Sequence, residues 1–201
     1  MIRNIIFDLG NVLISFRPAE YLDTQDYSTK DKTRILNDIF YSREWLQLDN
    51  GDITLPEAID SIAGNSSLSR EEIAHIFNLR TDLMIPLHQN ADLLPELKKQ
   101  GFRLYFLSNF PVDMFHEIKS GYYFFNYFDG GVISAEVRFS KPDIRIYKVL
   151  LEKYSLIPEE TLFIDDLEIN VRAAVETGMK GLVTHGSLEI SREVKNALSI
   201  K

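Results

Sequence analysis

The chain has no cysteine among its 201 residues, and it carries more acidic than basic side chains. The absence of cysteine excludes disulfides, thiolate nucleophiles, and zinc or iron–sulfur sites with cysteine ligands. Lys and Arg number 22 against 30 Asp and Glu, which gives a net charge of −8. This charge argues against a nucleic-acid partner or a basic membrane-surface protein, because both need an excess of cations. A negatively charged substrate would need a local positive site, such as a metal ion.

Glycine and proline are also few, with ten and seven residues, which argues against a disordered or fibrous chain. No apolar stretch reaches the length of a membrane span, and the apolar run Met1–Phe7 is too short for a signal peptide. The composition, with 45% hydrophobic and 26% charged residues, is that of a globular protein. We therefore expect a soluble cytoplasmic protein of one domain, or of one domain with a modest insertion.

Short apolar runs recur along the chain, and each stops abruptly at polar residues. Runs this short, rich in β-branched and aromatic residues, are typical of strands buried on both faces of a parallel sheet. Helical patterns lie between them, which predicts an α/β fold with a doubly wound parallel sheet. The predicted strands are Ile5–Phe7, Leu104–Leu107, Val132–Ile133, Leu162–Ile164 and Gly181–Val183, and the predicted helices are 91–100, 142–154 and 167–177.

Residues 17–85 interrupt this alternation, because only helical patterns and no strand are evident there. The dipeptides Arg17-Pro18 and Ile85-Pro86 bracket the segment, and a residue that precedes proline is biased away from helical dihedral angles. We therefore expect a core domain made of residues 1–16 and 86–201, with residues 17–85 inserted after the first strand as a small helical domain. The predicted helices of this insertion are 32–41, 55–63 and 70–84.

Candidate functional residues follow the apolar runs, because ligands of open parallel sheets bind beyond the carboxyl ends of the strands. The adjacent acids Asp165 and Asp166 repel each other unless one is protonated or a cation lies between them. One of them could instead cap the helix that begins at Leu167, which leaves the other unexplained. Asp8 adds a third carboxylate, although alone it is more often a cap or turn residue. Three hard oxygen ligands suit Mg²⁺, with water and a substrate phosphate completing the octahedron.

Lys141 and the pair Ser108-Asn109 complete the set of candidates. Lys141 stands just before Pro142 at a predicted helix start, where the helix dipole disfavours a cation unless phosphate or carboxylates lie nearby. An exposed surface lysine is the alternative, because its cost is only a few tenths of a kcal/mol. Ser108 and Asn109 could cap the helix that follows Pro111, or could hold a phosphate with a hydroxyl and backbone N–H groups.

The order of these residues resembles the haloacid dehalogenase (HAD) superfamily over essentially the whole chain. The resemblance rests on four motifs and on the helical insertion, which is similar to the family's cap. Trp45 and the turn Asn50–Ile53 resemble the branch that contains sugar-phosphate phosphatases and the phosphatase domain of bifunctional epoxide hydrolases. The four motifs are Phe7–Val12, Leu107–Asn109, Lys141–Asp143 and Phe163–Asp166.

This resemblance implies a Mg²⁺-dependent phosphatase of a small phosphorylated metabolite, such as a sugar phosphate. Asp8 would attack phosphorus and form an aspartyl-phosphate. Lys141 would neutralise charge on the nucleophile and on the transferred group, while Ser108 and the amide of Asn109 would hold the phosphoryl oxygens. The implied partner is the metabolite alone, with neither nucleic acid nor membrane, and the protein would be a monomer or a homodimer. The implied ligands of Mg²⁺ are Asp8, the carbonyl of Gly10 and Asp166, with Asp165 assisting.

Gly10 departs from the family pattern, which has a second aspartate two residues after the nucleophile as general acid and base. A carbonyl ligand survives this change but the proton donor does not, and general acid–base help is worth about 10²–10⁴-fold in rate. A metal-independent dehalogenase that uses Asp8 against a carbon–halogen bond is one alternative, although it leaves Asp165 and Asp166 unexplained. A non-catalytic protein that binds phosphorylated metabolites is another.

The remaining features have mainly structural interpretations. The aromatic run Tyr122–Phe128 is interpreted as core before a dimer surface or a substrate platform. The four histidines show no metal-ligand spacing. Four polar residues of the insertion are hypothetical substrate contacts, namely Glu44, Asp49, Asp52 and His75.

Overall fold

A computed structural model describes residues 1–184 and 190–198. Its main feature is a parallel sheet of five strands in the order β5-β4-β1-β6-β7, which confirms the predicted doubly wound α/β architecture. Each predicted strand is present, extended by one or two residues at its ends. The strands are β1 Asn4–Phe7, β2 Ile14–Phe16, β3 Met84–Pro86, β4 Arg103–Ser108, β5 Gly130–Ile133, β6 Thr161–Asp165 and β7 Lys180–Val183.

The central strand β1 is buried along its whole length and pairs with β4 on one side and β6 on the other. Successive side chains of a strand point to opposite faces of the sheet, so Ile5 and Phe7 pack into one apolar cluster while Ile6 packs into another. Because both faces are covered, the strands read in the sequence as continuous apolar runs.

Twelve α-helices lie within the described residues, and five of them fall between β2 and β3. Serine and threonine side chains define several helix starts, since Ser42 accepts a hydrogen bond from the Trp45 N–H, and Thr54 and Ser69 form capping boxes with Glu57 and Glu72. The helices are α1 Pro18–Asp23, α2 Thr29–Ile35, α3 Arg43–Asp49, α4 Leu55–Asn65, α5 Arg70–Asn78, α6 His88–Ala91, α7 Leu93–Lys99, α8 Val112–Gly121, α9 Ser134–Val137, α10 Ile144–Lys153, α11 Glu168–Glu176 and α12 Ile190–Leu198.

The structure corrects the prediction that residues 17–85 contain no strand. Met84 and Ile85 belong to β3, which pairs antiparallel with β2. The predicted helix 70–84 is therefore too long, because α5 ends at Asn78 and a 3₁₀ turn follows at Leu79–Thr81. A three-residue strand gives almost no periodic signal, and its partner lies about 70 residues earlier in the chain.

The predicted helix 91–100 is divided in the structure into α6 and α7. Pro95 lies in the first turn of α7, where its missing N–H is tolerated. In the interior of a single helix that continued from α6, the same proline would kink or break the helix. The break lets α6 run from His88, and Asn90 donates a hydrogen bond from its side chain to the Val12 carbonyl at 2.8 Å.

Aromatic packing joins helices α3 and α5 to the small antiparallel sheet formed by β2 and β3. The Trp45 ring stacks on Phe16 of β2 with centroids 5.6 Å apart and on Phe77 of α5 at 5.7 Å, and it lies 5.2 Å from Phe40. Aromatic pairs at these distances contribute beyond the area that they bury. The only tryptophan of the chain therefore lies where the two-stranded sheet of β2 and β3 meets the inserted helices.

The aromatic run Tyr122–Phe128 contributes mainly to the core, as interpreted from the sequence. Phe124 is fully buried and Phe125 nearly so, and both contact other rings of the cluster beneath β4. Among the aromatic residues of the run, Tyr123 alone keeps a large exposed fraction, 43%. Among the described helices, none is both long enough and apolar enough to cross a membrane.

Candidate active site

Asp8 directly follows β1 and is nearly buried at the carboxyl edge of the sheet, with 6% of its surface exposed. Three donors converge on its Oδ1 atom: the Leu9 N–H at 2.7 Å, the Ser108 hydroxyl at 2.9 Å and the Lys141 Nζ at 2.8 Å. Burial raises the pKa of Asp8 to about 6, although the charge of Lys141 opposes the rise. These three donors fix the position of Asp8 Oδ1.

Lys141 is a buried ammonium group between two carboxylates, which excludes the alternative of an exposed surface lysine. Its Nζ lies 2.8 Å from Asp8 Oδ1 and 2.6 Å from Asp165 Oδ2, and its side chain is 2% exposed. Burial alone would lower the pKa of Lys141, but Asp8 and Asp165 outweigh burial and raise it. Lys141 therefore keeps its charge next to Asp8.

Asp165 ends β6 and Asp166 follows it, and the two carboxylates have different surroundings. Asp165 is fully buried and accepts hydrogen bonds from the Leu167 N–H at 2.8 Å and from the Asn170 amide group at 3.0 and 3.1 Å, in addition to its ion pair with Lys141. Burial and the charge of Asp165 raise the pKa of Asp166. Asp165 thus accepts from the N–H of Leu167, the residue before α11, and does not cap that helix, while Asp166 keeps a half-buried carboxylate beside it.

The three carboxylates fit a metal ion. Asp8, Asp165 and Asp166 can each offer one oxygen, and these oxygens lie within 4.8 Å of one another. The peptide that joins Gly10 to Asn11 is oriented by a hydrogen bond from the Asn11 N–H to the Ile14 carbonyl at 2.6 Å. In a trans peptide the carbonyl points away from the N–H, so the Gly10 carbonyl points away from Ile14. Hard oxygen donors of this kind suit Mg²⁺.

The predicted phosphate-binding residues lie at the same edge of the sheet. Ser108 ends β4, and its hydroxyl donates to Asp8. The side chain of Asn109 instead binds the main chain of Lys141 through two hydrogen bonds. Its Oδ1 accepts from the Lys141 N–H at 2.7 Å, and its Nδ2 donates to the Lys141 carbonyl at 3.0 Å. This pair of hydrogen bonds fixes the backbone from which the ammonium group extends.

Two further asparagines support the site, and the sequence analysis did not identify them as site residues. Asn170 holds both oxygens of Asp165 from one turn into α11. Asn11 has a left-handed backbone with φ of 53°, accepts from the Phe16 N–H at 3.0 Å, and lowers the pKa of Asp166 through a side-chain hydrogen bond. Asp165 and Asn170 lie five residues apart, outside the i,i+3 and i,i+4 spacings of helix side-chain pairs, so the sequence pattern gives no signal for this contact.

The turn after α3 packs directly on the core near Lys141. The Asp49 carbonyl accepts a hydrogen bond from the Ser134 hydroxyl, and the Asn50 Oδ1 accepts one from the Ser140 hydroxyl at 3.0 Å. Gly51, with φ of +72°, lies so close to the core that an added Cβ would be 2.5 Å from the Ala135 carbonyl oxygen. The inserted segment therefore contacts the core directly beside Lys141.

The four hypothetical substrate contacts of the insertion differ in their surroundings. Glu44 accepts from Ser61 at 2.8 Å, and Asp52 accepts from Asn50 at 2.9 Å. His75 borders a surface cavity of about 180 Å³ formed by residues of the insertion itself, while His185 lies outside the described residues. Asp49 differs from these, because burial raises its pKa to about 7 against a hydrogen bond from the Trp45 side chain.

The raised pKa of Asp49 predicts a pH-dependent cost in stability. Between its ordinary pKa of 3.8 and about 7, the unfolded chain ionises at this residue while the folded protein does not, so stability falls as the pH rises through that window. We expect Asp49→Asn to raise the free energy of unfolding by about 1–4 kcal/mol at pH 8 and by little at pH 4. Denaturant unfolding at both pH values measures this, with the exposed Asp52→Asn as control. An equal effect at the two pH values would contradict the assignment.

Comparisons with known proteins identify the family of the chain. A sequence model of the family described as haloacid dehalogenase-like hydrolase matches residues 2–178. The sesquiterpene phosphatase astK of Aspergillus oryzae is 35% identical over 190 residues, which are 94% of this chain and 93% of that protein. The drimenol cyclase drtB of Aspergillus calidoustus is 28% identical over 200 residues, 98% of this chain but only 36% of that protein.

A solved structure shows the same fold. An HAD-family enzyme of Bacteroides thetaiotaomicron, solved as the wild-type protein in complex with magnesium and inorganic phosphate, has a TM-score of 0.71 and 27% identity. The match covers 91% of this chain and 94% of that one. The family match over most of the chain and the relative that is 35% identical lead to one conclusion: the chain belongs to the haloacid dehalogenase-like hydrolase family.

Proposed function

We propose that this protein is a Mg²⁺-dependent phosphatase of a small phosphorylated metabolite, and that it acts through an aspartyl-phosphate on Asp8. The observation that carries the proposal is the convergence of Ser108 and Lys141 on one oxygen of Asp8, with the carboxylate of Asp166 beside it. The phosphatase name of the A. oryzae relative and the magnesium and phosphate in the B. thetaiotaomicron structure support it. Residues 17–85 are the proposed cap.

The reaction proceeds in two displacements at phosphorus. In the first, an Asp8 carboxylate oxygen forms a bond to phosphorus, the bond to the substrate oxygen breaks, and that oxygen leaves with the electron pair. In the second, water attacks the phosphorus, the bond to Asp8 breaks, and inorganic phosphate leaves as a proton of the water is lost. Lys141 stabilises negative charge in both steps from its fixed place beside Asp8.

The carboxylates of Asp8 and Asp166, with the Gly10 carbonyl, are the proposed ligands of Mg²⁺. The bound ion would supply charge neutralisation and orientation of the phosphoryl oxygens. Asp165 acts mainly by fixing Lys141, because its oxygens are already occupied by Asn170, Leu167 and the lysine. Ser108 turns its hydroxyl from Asp8 to a phosphoryl oxygen when substrate binds.

A metabolite panel measured with and without Mg²⁺ tests the proposal. The panel includes sugar phosphates and, because one relative is named a sesquiterpene phosphatase, terpenyl monophosphates. We expect phosphate release that requires Mg²⁺ and returns when Mg²⁺ is added back after chelation. Activity that survives chelation on 2-haloacids, with no phosphate release, would favour the dehalogenase alternative. Binding without any turnover would favour the non-catalytic alternative.

Asp166→Asn is predicted to raise the Mg²⁺ concentration needed for half-maximal activity by at least about 10-fold. Loss of groups that merely support a metal ligand costs roughly 10–100-fold in affinity, so loss of a ligand charge should cost no less. A Mg²⁺ titration of phosphatase activity measures the shift. Asp60→Asn, an exposed carboxylate paired with Arg70, is the control. An unchanged Mg²⁺ requirement would exclude Asp166 as a ligand.

A further inference from the structure

The turn Asp49–Gly51, here called the latch turn, connects the cap to the core beside Lys141. Its three residues each contact a different group of the segment from Ser134 to Ser140. Lys141 follows that segment directly, and its ammonium group must stay between Asp8 and Asp165 despite the cost of its burial. What holds the backbone of Lys141 therefore decides where the charge lies.

One route from the latch turn to Lys141 runs along a single peptide. The Ser140 hydroxyl donates to Asn50 Oδ1 at 3.0 Å, and Ser140 precedes Lys141 in the chain. A shift of the latch turn away from the core breaks this hydrogen bond and frees the residue next to the lysine.

The second route passes through Ser134 and Asn109. The Ser134 hydroxyl donates to the Asp49 carbonyl and accepts from the Phe110 N–H at 2.9 Å. Phe110 is bonded to Asn109, whose side chain holds the N–H and the carbonyl of Lys141 at 2.7 and 3.0 Å. Both sides of the Lys141 backbone are thus connected to the cap through the latch turn.

The latch turn is also part of the packed helices of the cap. It ends α3, and Trp45, one helical turn earlier, stacks on Phe77 of α5. Gly51 has a positive φ and fits against the Ala135 carbonyl with no room for a Cβ. The latch turn and the core therefore lie in direct contact in this arrangement of the cap.

We propose that the latch turn couples cap seating to the position of Lys141, so that Asn50, Ser134 and Ser140 are positioning residues of the reaction. The cap then completes the site as well as covering it, because Lys141 is held in place only beneath a seated cap. The role in the reaction rests on the proposed phosphatase function, whereas the effect on the position of Lys141 does not.

Amine labelling of the free protein tests the effect on position directly. Acetic anhydride modifies Lys141 only when the lysine leaves its buried place, so labelling measured by mass spectrometry relative to the exposed Lys99 reports the open population. We expect Ser140→Ala and Asn50→Ala each to raise the labelling of Lys141 about 2–10-fold, the value of one hydrogen bond. Gly51→Ala should raise it further, because the added Cβ prevents seating.

Two controls match these variants. Asp52→Ala removes the other partner of the Asn50 amide at 2.9 Å and leaves the core contact intact. Gly101→Ala introduces a Cβ at a similar positive φ of +88° but with nothing within 4 Å, so it reproduces the backbone strain without the close approach. Both should leave Lys141 labelling unchanged. Melting curves confirm that each variant is folded.

The kinetic consequence separates the two proposals. With 4-nitrophenyl phosphate, the latch variants should lose about 2–10-fold in kcat with a smaller change in KM, because Lys141 acts on the developing charge. Unchanged Lys141 labelling in all three latch variants, or an equal rise in Gly101→Ala, would overturn the latch. Increased Lys141 labelling in the latch variants, together with no phosphate release by the wild-type protein, would instead support the latch and reject the phosphatase.

Discussion

Replacing Asp8 by asparagine should reduce turnover by roughly 10⁴–10⁶-fold, the range typical for loss of a covalent nucleophile, while the protein remains folded. An amide oxygen is too weak a nucleophile to displace the substrate oxygen from phosphorus. The same amide oxygen can still accept the hydrogen bonds that the Leu9 N–H and the Ser108 hydroxyl make with Asp8 Oδ1. The strand end therefore keeps these two hydrogen bonds, and Lys141 loses its ion pair with Asp8 but keeps the one with Asp165, so the protein stays folded and the loss falls on chemistry.

The measurement compares phosphate release by wild-type protein and Asp8→Asn, with acid quenching and mass spectrometry to detect the phosphorylated peptide. Wild-type protein should show phosphate on the peptide that contains Asp8, and the variant should show none. Asp129→Asn is a matched control, because that carboxylate also accepts a backbone N–H and a lysine but lies away from Asp8. Near-normal activity of pure, folded Asp8→Asn would remove the nucleophile assignment and with it the aspartyl-phosphate.

The position of Asp8 could be predicted because it depends on a local pattern. Apolar runs that end at acids or serine identify the strand ends, and parallel strands bring those ends to one edge of the sheet. Asp8 accordingly follows β1, while Ser108 and Asp165 end β4 and β6, the two strands that neighbour β1 in the sheet. The candidate site thus follows from the parallel sheet that the alternation of strands and helices predicts, whereas the order of the strands comes from the structure.

The supporting contacts could not be predicted in the same way, because each joins segments that are distant in sequence. The sequence predicts that the backbone amide of Asn109 binds the phosphate. No pattern near Asn109 in the sequence indicates that its side chain forms hydrogen bonds with the backbone of Lys141, 32 residues later. The contact of Asn50 with Ser140 spans 90 residues. Hydrogen bonds of this kind depend on the packed arrangement of the cap and the sheet, which residue periodicity does not encode.

The raised pKa of Asp49 is another property that the sequence does not indicate. In the sequence it is one of several acids in a polar turn, while in the structure burial raises its pKa to about 7. A group that lowers stability at neutral pH is a candidate for function, because such costs concentrate at functional sites. Its place in the latch turn, at the seam between cap and core, makes it the first cap residue to consider when a proton donor is sought.

The glycine at position 10 decides whether the leaving substrate oxygen needs a proton donor from the cap. The charged groups that act on Asp8 in the described chain are Lys141, Asp165 and Asp166, and each is already engaged in the ion pair or in the proposed metal site. Departure of the substrate oxygen is then largely unassisted in the first step. A primary alkoxide is a poor leaving group, whereas a phenolate, an acyl group or the anomeric oxygen of a sugar 1-phosphate leaves more easily. We therefore expect aryl, acyl and anomeric phosphates to be preferred over primary alkyl phosphates.

Gly10→Asp should narrow this preference by accelerating the poor leaving groups up to about 10²–10⁴-fold, the range of general acid catalysis. The structure favours a folded variant, since a Cβ at Gly10 meets nothing within 4 Å and Gly10 is not among the residues with positive φ. The measurement is kcat/KM for the 1-phosphate and the 6-phosphate of one hexose in wild-type protein and in the variant. Gly10→Asn, which adds a similar volume without an ionisable group, should leave the ratio as it is. If folded Gly10→Asp also leaves the ratio unchanged, the proton already comes from another group, and Asp49→Asn should then slow the 6-phosphate more than the 1-phosphate.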